Sequence, residues 1–122
     1  MMRSMARKLI PDSEGAPAVH GVLDGSDSRD TTGLAVRYLL QLLAERAPGN
    51  TVEVRVPPFG AVQCIPGPRH TRGTPPNVIE MDAPTWLALA SGKMSWDDAL
   101  ASGVIYASGQ RASLAGLLPL RY

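Results

Sequence analysis

The chain of 122 residues carries a formal net charge of +1, a hydrophobic fraction of 44% and one cysteine, Cys64. This length predicts one domain with a hydrophobic core, while the small charge argues against nucleic-acid binding through a global field and the single cysteine excludes an internal disulfide. Because no apolar run is long enough for a membrane span or a signal sequence, we expect a cytoplasmic protein without stable membrane insertion.

Residues 1–30 are rich in Ser, Asp, Gly and Pro, with isolated apolar residues such as Val19, Val22 and Leu23. Such a segment buries too little apolar surface on its own to offset an ordering entropy of about 1–2 kcal/mol per residue. We therefore expect an N-terminal arm, either flexible or docked on a domain formed by residues 31–122.

The first predicted element is a helix over about residues 31–47. Its apolar residues recur at the spacing i, i+3, i+4, i+7, i+8 that marks one buried helix face, namely Ala35, Tyr38, Leu39, Leu42 and Leu43. Leu40 broadens this stripe and suggests burial on more than one side. Pro48 and Gly49 end the helix.

Two strands follow as a predicted hairpin. Residues 51–56 alternate strictly, with valines at positions 52, 54 and 56 on one face, and an apolar run over residues 60–65 comes directly after Pro57, Pro58 and Phe59. After a loop rich in Pro and Gly, residues 77–81 predict a third strand.

The last third of the chain repeats helix-start and helix-stop signals. Asp82 and Ser95 are typical N-caps, and Gly92 and Gly103 are typical helix ends, so we predict two short helices here. Residues 104–107 predict a fourth strand and residues 110–118 a last short helix. Helices and strands joined by short connections favour an α+β class with antiparallel strand pairing.

This order of Asp82, a helix with Trp86, Gly92, a second helix, a strand and an apolar tail resembles the sterol-carrier-protein family of lipid-binding domains. The resemblance covers residues 31–120. Within the family, the chain is most similar in its short length to a compact bacterial branch. The resemblance implies a curved, mostly antiparallel sheet of four to five strands, covered on one face by helices, with a tunnel between the two layers. It further implies a non-enzymatic binding or carrier domain for a fatty-acyl or sterol-like ligand, without a cofactor.

An apolar ligand binds by leaving water, at roughly 25 cal/mol per Å² of buried apolar surface, so its site needs an apolar lining. The candidates are the residues expected on the helix-facing side of the sheet and on its cover: Val52, Val54, Val56, Val62, Ile79, Met81, Trp86, Leu89, Trp96, Tyr106, Leu114 and Leu117. A filled core has the same pattern. The alternative is therefore an accessory protein-interaction module without a ligand, whose partner is a second copy or another protein.

Arg69, His70 and Arg72, together with Arg55, form a local basic cluster. Two guanidinium groups bind a carboxylate or phosphate well, which predicts a site for an anion or a lipid headgroup. The alternative is a solvated loop whose arginines pair with nearby carboxylates. This loop is not part of the general family pattern.

The sequence gives little support for catalysis or for a metal site. Cys64 and His70 would make a nucleophile–base pair, but Cys64 lies in an apolar strand, where cysteine behaves as a small hydrophobic residue. Asp97 and Asp98 are better explained by a helix N-terminus than by acid–base chemistry. We therefore predict no catalytic residue and no metal ligand.

Overall fold

The computed structural model describes residues 9–67 and 76–122, which form four helices and four strands. In chain order these are α1 (Asp12–Leu23), α2 (Arg29–Arg46), β1 (Val52–Val56), β2 (Gly60–Cys64), β3 (Asn77–Glu80), α3 (Ala83–Ser91), α4 (Trp96–Ser102) and β4 (Tyr106–Ser108). Within these residues, no helix combines the length and the apolar character needed to cross a membrane.

The four strands form one mixed sheet in the order β2-β1-β3-β4. The pairs β1–β2 and β3–β4 are antiparallel, but β1 and β3 are parallel, with Val54 opposite Ile79. The α+β class is thus confirmed, whereas the expectation of a mostly antiparallel sheet is wrong. Short connections predict only the pairing of consecutive strands, and here β3 pairs with β1 instead of with its predecessor β2.

One face of the sheet is buried and the other is open to solvent. Along β1 the three valines are fully buried, while Glu53 and Arg55 between them are half-buried on the opposite face. The buried face packs with α2, α3 and the tail that follows β4 (residues 109–122) in a single core that includes Leu39, Trp86 and Leu89. The alternation of valines with charged residues therefore predicted correctly which face of β1 is buried.

The predicted helix starts and stops have a structural basis. The Asp82 side chain accepts a hydrogen bond of 2.9 Å from the backbone N–H of Thr85, and the Ser95 hydroxyl accepts one of 3.0 Å from Asp98. Gly92 and Gly103 end α3 and α4 with φ of 87° and 73°, in the left-handed region that favours glycine.

The structure differs from the prediction at both ends of the chain. Residues 12–23 form a helix that packs against α2, an element that we did not predict. Residues 110–118 form turns where we expected a short helix. Backbone N–H groups of the tail form hydrogen bonds with neighbouring elements instead. The N–H of Arg111 donates to Asn77 Oδ1, and that of Leu120 donates to the carbonyl of Ala90, each at 2.9 Å.

Candidate ligand-binding groove

A half-enclosed, mainly apolar groove with a volume of about 530 Å³ lies between α2 and the edge strand β2. The segment just before α1 forms its third side. Its lining residues are Leu9, Ile10, Arg37, Leu40, Gln41, Ala44, Glu45, Gly60, Ala61 and Val62. This volume lies within the range of about 300–1,000 Å³ that is typical of small-molecule sites.

The helical periodicity of α2 explains why these side chains meet. Positions 37, 40, 41, 44 and 45 have the spacing i, i+3, i+4, i+7, i+8, so they share one side of the helix. This side is adjacent to the fully buried one that carries Leu39 and Leu43. Since β2 is an edge strand, its backbone and Val62 are left to line the groove from the opposite side.

The third side of the groove is held by the side-chain amide of Gln41. The N–H of Ile10 donates to Gln41 Oε1, and Gln41 Nε2 donates to the carbonyl of Ile10, both at 2.9 Å. A primary amide can accept a hydrogen bond from the N–H of one residue and donate one to the C=O of the same residue. The backbone of a paired β-strand makes the same two hydrogen bonds. Gln41 therefore positions Ile10 against the groove and has its polar atoms engaged within the protein.

Two further cavities lie elsewhere on the surface. One, of about 500 Å³, is shallow and open and lies between Pro57, the end of β3 and residues 103–106. The other, of about 320 Å³, lies between α4 and the tail. Both have similar polar and apolar linings, so the α2–β2 groove is the most apolar of the three.

The predicted lining residues do not converge on one cavity. Val62 lines the α2–β2 groove, Met81 and Tyr106 line the shallow cavity, and a third group, Leu89, Trp96 and Leu114, borders the cavity beside α4. The remaining predicted residues line none of these three cavities: Val52, Val54, Val56, Ile79, Trp86 and Leu117. All of these are buried in the core except Leu117, which is half-buried.

Tyr106 lies on the face opposite to the one we expected. It pairs with Glu80 across β3 and β4 and is 64% exposed on the open side of the sheet. Because directly paired residues of neighbouring strands share a face and side chains alternate along a strand, the pairing of Tyr106 with Glu80 places it on the face opposite to that of Ile79. The prediction that Tyr106 belongs to the helical side of the sheet is wrong.

Arg55 lies on the same open face and forms an ion pair with Glu53, two residues away on β1. The hydrogen bond and negative charge of Glu53 raise the pKa of the Arg55 guanidinium. Arg69, His70 and Arg72 lie outside the described residues, so the anion-binding role of this basic cluster stays a prediction.

Cys64 is fully buried at the end of β2, and burial raises the pKa of its thiol to about 11. A thiol with so high a pKa is a poor nucleophile near neutral pH. Among residues 9–67 and 76–122, no three His, Cys, Asp or Glu side chains come together as metal ligands.

Sequence reasoning missed Arg37, Gln41 and Ala44 as groove residues. The available signal was the wide apolar stripe of α2, in which Leu40 extends burial beyond the main face. The role of Ile10 had no signal in the sequence, because it depends on a hydrogen-bonded pair 31 positions apart in the chain.

The fold and the groove together define a small α+β domain with helices on one face of a mixed sheet. Residues 28–120 match the family model described as bacterial SCP ortholog, which covers most of the chain. The chain belongs to this family, and the resemblance to sterol carrier proteins is confirmed. No curated protein matches the chain in sequence.

Proposed function

We propose that this protein is a non-enzymatic binding or carrier domain that holds a fatty-acyl or sterol-like apolar ligand in the α2–β2 groove. The observation that carries the proposal is the groove itself, which is half-enclosed and lined mainly by apolar atoms. Membership of the bacterial SCP family supports the same function. A cytoplasmic location fits the free Cys64 thiol.

The proposal differs from the tunnel that the resemblance implied. Between the sheet and the helices, Val54, Ile79, Trp86 and Leu89 are each 0% exposed and pack in one core. An apolar ligand gains free energy by leaving water, so it needs apolar surface that is still accessible. The groove beside β2 offers such a surface, with Leu9, Ala44 and Val62.

Filling the groove tests this function. In Ala44→Phe the added ring occupies the space between α2 and β2, so we expect binding of the uncharged dye Nile red to weaken at least about tenfold. Ala101→Phe adds the same ring to α4 at an exposed position that lines none of the three cavities. This control should bind like the wild type, and circular dichroism should show both variants folded.

Displacement of Nile red by fatty acids of increasing chain length and by cholesterol then defines the ligand. Saturable displacement that is lost in Ala44→Phe supports a carrier. If no chain length and no sterol displaces the dye, the carrier function is wrong. If ligands bind equally well to Ala44→Phe and the wild type, the groove is not their site.

A second candidate function is an accessory interaction module with a filled core. It is favoured by the exposure of large apolar side chains at and just before the edge strand β4, where Val104 is 42% and Tyr106 64% exposed. Leu100 on the preceding α4 is 45% exposed. An exposed edge strand beside such residues is a common protein contact. Size-exclusion chromatography with light scattering tests self-association. A wild type that stays monomeric at high concentration would count against a homodimer.

A further inference from the structure

The charged side chains along the α2–β2 groove differ in sign between its two ends. Arg37 and Glu45 both line it, eight residues apart on α2, which corresponds to about 12 Å along the helix axis. Gln41 lies between them, but its amide is already bonded to the backbone of Ile10. The groove therefore has a cation near one end, a carboxylate near the other and an apolar middle.

The backbone around Arg37 leaves room for its side chain to lie flat along the groove. A Cβ at Gly60 would lie 3.3 Å from Arg37 Cγ, and a Cβ at Gly33 would lie 3.0 Å from Arg37 Nη1. The aliphatic stem thus runs past Gly60 while the guanidinium lies beside Gly33. The stem adds apolar surface to the groove, and the charged group stays at its end.

A second guanidinium strengthens the positive charge at this end. The Arg29 Cζ lies 5.4 Å from the centre of the Phe59 ring, and that ring contacts the same backbone position, Gly33, that Arg37 Nη1 approaches. Within residues 9–67 and 76–122, neither Arg29 nor Arg37 makes an ion pair. Both charges are therefore available to an anion bound from solvent.

Building on the function proposed above, we propose that the groove binds anionic amphiphiles in one orientation, with the acidic head at Arg37 and the apolar chain along Ala44 and Val62. The guanidinium donates hydrogen bonds to a carboxylate or phosphate head in a fork geometry. Glu45 disfavours the reversed orientation, because it would repel the same head. Arg37 is thus the residue that sets head-group preference.

Three ligands with one chain length separate the head from the chain: dodecanoate, dodecanol and dodecyltrimethylammonium, titrated calorimetrically below their micellar concentrations. The wild type should prefer dodecanoate over dodecanol, whereas dodecyltrimethylammonium, whose head is attracted by Glu45, should bind in the reversed orientation. Arg37→Gln should weaken dodecanoate binding roughly five- to tenfold and leave dodecanol binding unchanged. Arg37→Lys keeps the charge but not the fork geometry and should retain only part of the preference. Arg121→Gln, at an exposed arginine outside the groove, should change nothing.

The outcomes distinguish this proposal from the carrier function. Equal affinity for dodecanoate and dodecanol in the wild type, with no effect of Arg37→Gln, overturns the role of Arg37 and leaves the carrier function standing. An equal loss for both ligands in Arg37→Gln also overturns it, because the side chain then only shapes the groove. Absence of binding for all three ligands and for Nile red overturns both proposals. Raised ionic strength should weaken the dodecanoate complex and leave the dodecanol complex unchanged.

Discussion

The Tyr38 hydroxyl on α2 donates a hydrogen bond of 2.6 Å to the Asp12 carboxylate at the start of α1. The Tyr38 ring lies so close to the backbone of Gly15 that a Cβ at that position would overlap it. This contact attaches α1 to the rest of the domain, and α1 in turn positions Leu9 and Ile10 against the groove.

Gly15→Ala should destabilise the protein by about 1–3 kcal/mol, because the new methyl group displaces the Tyr38 ring. Gly21→Ala is the matched control on the same helix, since its Cβ would meet only the Thr31 methyl group at an ordinary 3.7 Å. We expect that control to be neutral or stabilising by up to about 1 kcal/mol. Urea unfolding measures both, and equal stability of the two variants would contradict the close packing at Gly15.

The same contact predicts a loss of stability at high pH. Burial, followed by the hydrogen bond to Asp12 and the nearby negative charges, raises the pKa of Tyr38 from its ordinary value of about 10 to about 12. The unfolded chain therefore loses this proton first, and the stabilisation present below pH 10 falls as the pH rises through 12. The loss amounts to at most about 3 kcal/mol.

Tyr38→Phe isolates this effect. The variant lacks the hydrogen bond at neutral pH, which costs about 0.5–1.5 kcal/mol. It should also lose less stability than the wild type between pH 10 and 12, where Tyr38 titrates. Parallel pH profiles of the two proteins would show that Tyr38 is not the titrating group.

Cys64 should react slowly with thiol reagents in the folded protein. Its pKa of about 11 leaves roughly one hundredth of the thiolate that an ordinary pKa of 9.0 gives near pH 8, and its side chain is fully buried. Labelling with Ellman's reagent should therefore be slow in buffer and rapid in concentrated urea. Rapid labelling of the folded protein would place Cys64 in an accessible site.

Removal of the Asn77 side chain, which joins the tail to the sheet, should cost substantial folding stability. Its Nδ2 donates to the carbonyl of Thr51 and its Oδ1 accepts from the N–H of Arg111, both at 2.9 Å, and the residue is only 4% exposed. Asn77→Ala leaves two backbone groups without partners and should cost about 2–4 kcal/mol.

Asn50→Ala provides the comparison for Asn77. Asn50 also makes a side-chain hydrogen bond, of 2.7 Å to Gln63, but on the exposed surface. Its loss should cost less than about 0.5 kcal/mol, since water replaces the partner. Thermal unfolding monitored by circular dichroism separates the two variants, and a similar cost for both would mean that the tail is held elsewhere.

The elements that could be predicted are those whose signals are local. The alternation of β1 gave its buried face, and Asp82, Ser95, Gly92 and Gly103 marked α3 and α4, because caps and periodicity act within a few residues. The helix α1 was missed for the opposite reason. It contains Pro17 and several small residues, and its burial depends on contacts with α2, such as that of Tyr38 with Asp12 and Gly15.

The candidate site was predicted only in part for a similar reason. Val62 was expected in an apolar site, but Arg37 and Gln41 were not, because their roles arise from the approach of β2 and of residue 10 to α2. Tyr106 was assigned to the wrong side of the sheet because its face is set by the register of β4 against β3, in which Tyr106 lies opposite Glu80. This register is a tertiary feature without a local signal in the sequence.

By itself, the sequence determined the α+β class, the resemblance to sterol carrier proteins and most of the core residues from α2 onward, but not Val19 of α1. Apolar spacing and capping suffice for these, since they follow from the geometry of single helices and strands. Only the tertiary structure decided that β1 and β3 run parallel and that Val54, Ile79, Trp86 and Leu89 pack in one core. It also showed that the accessible apolar surface lies in the groove between α2 and β2. A filled core and a binding groove use the same residue types, and only packing in three dimensions separates them.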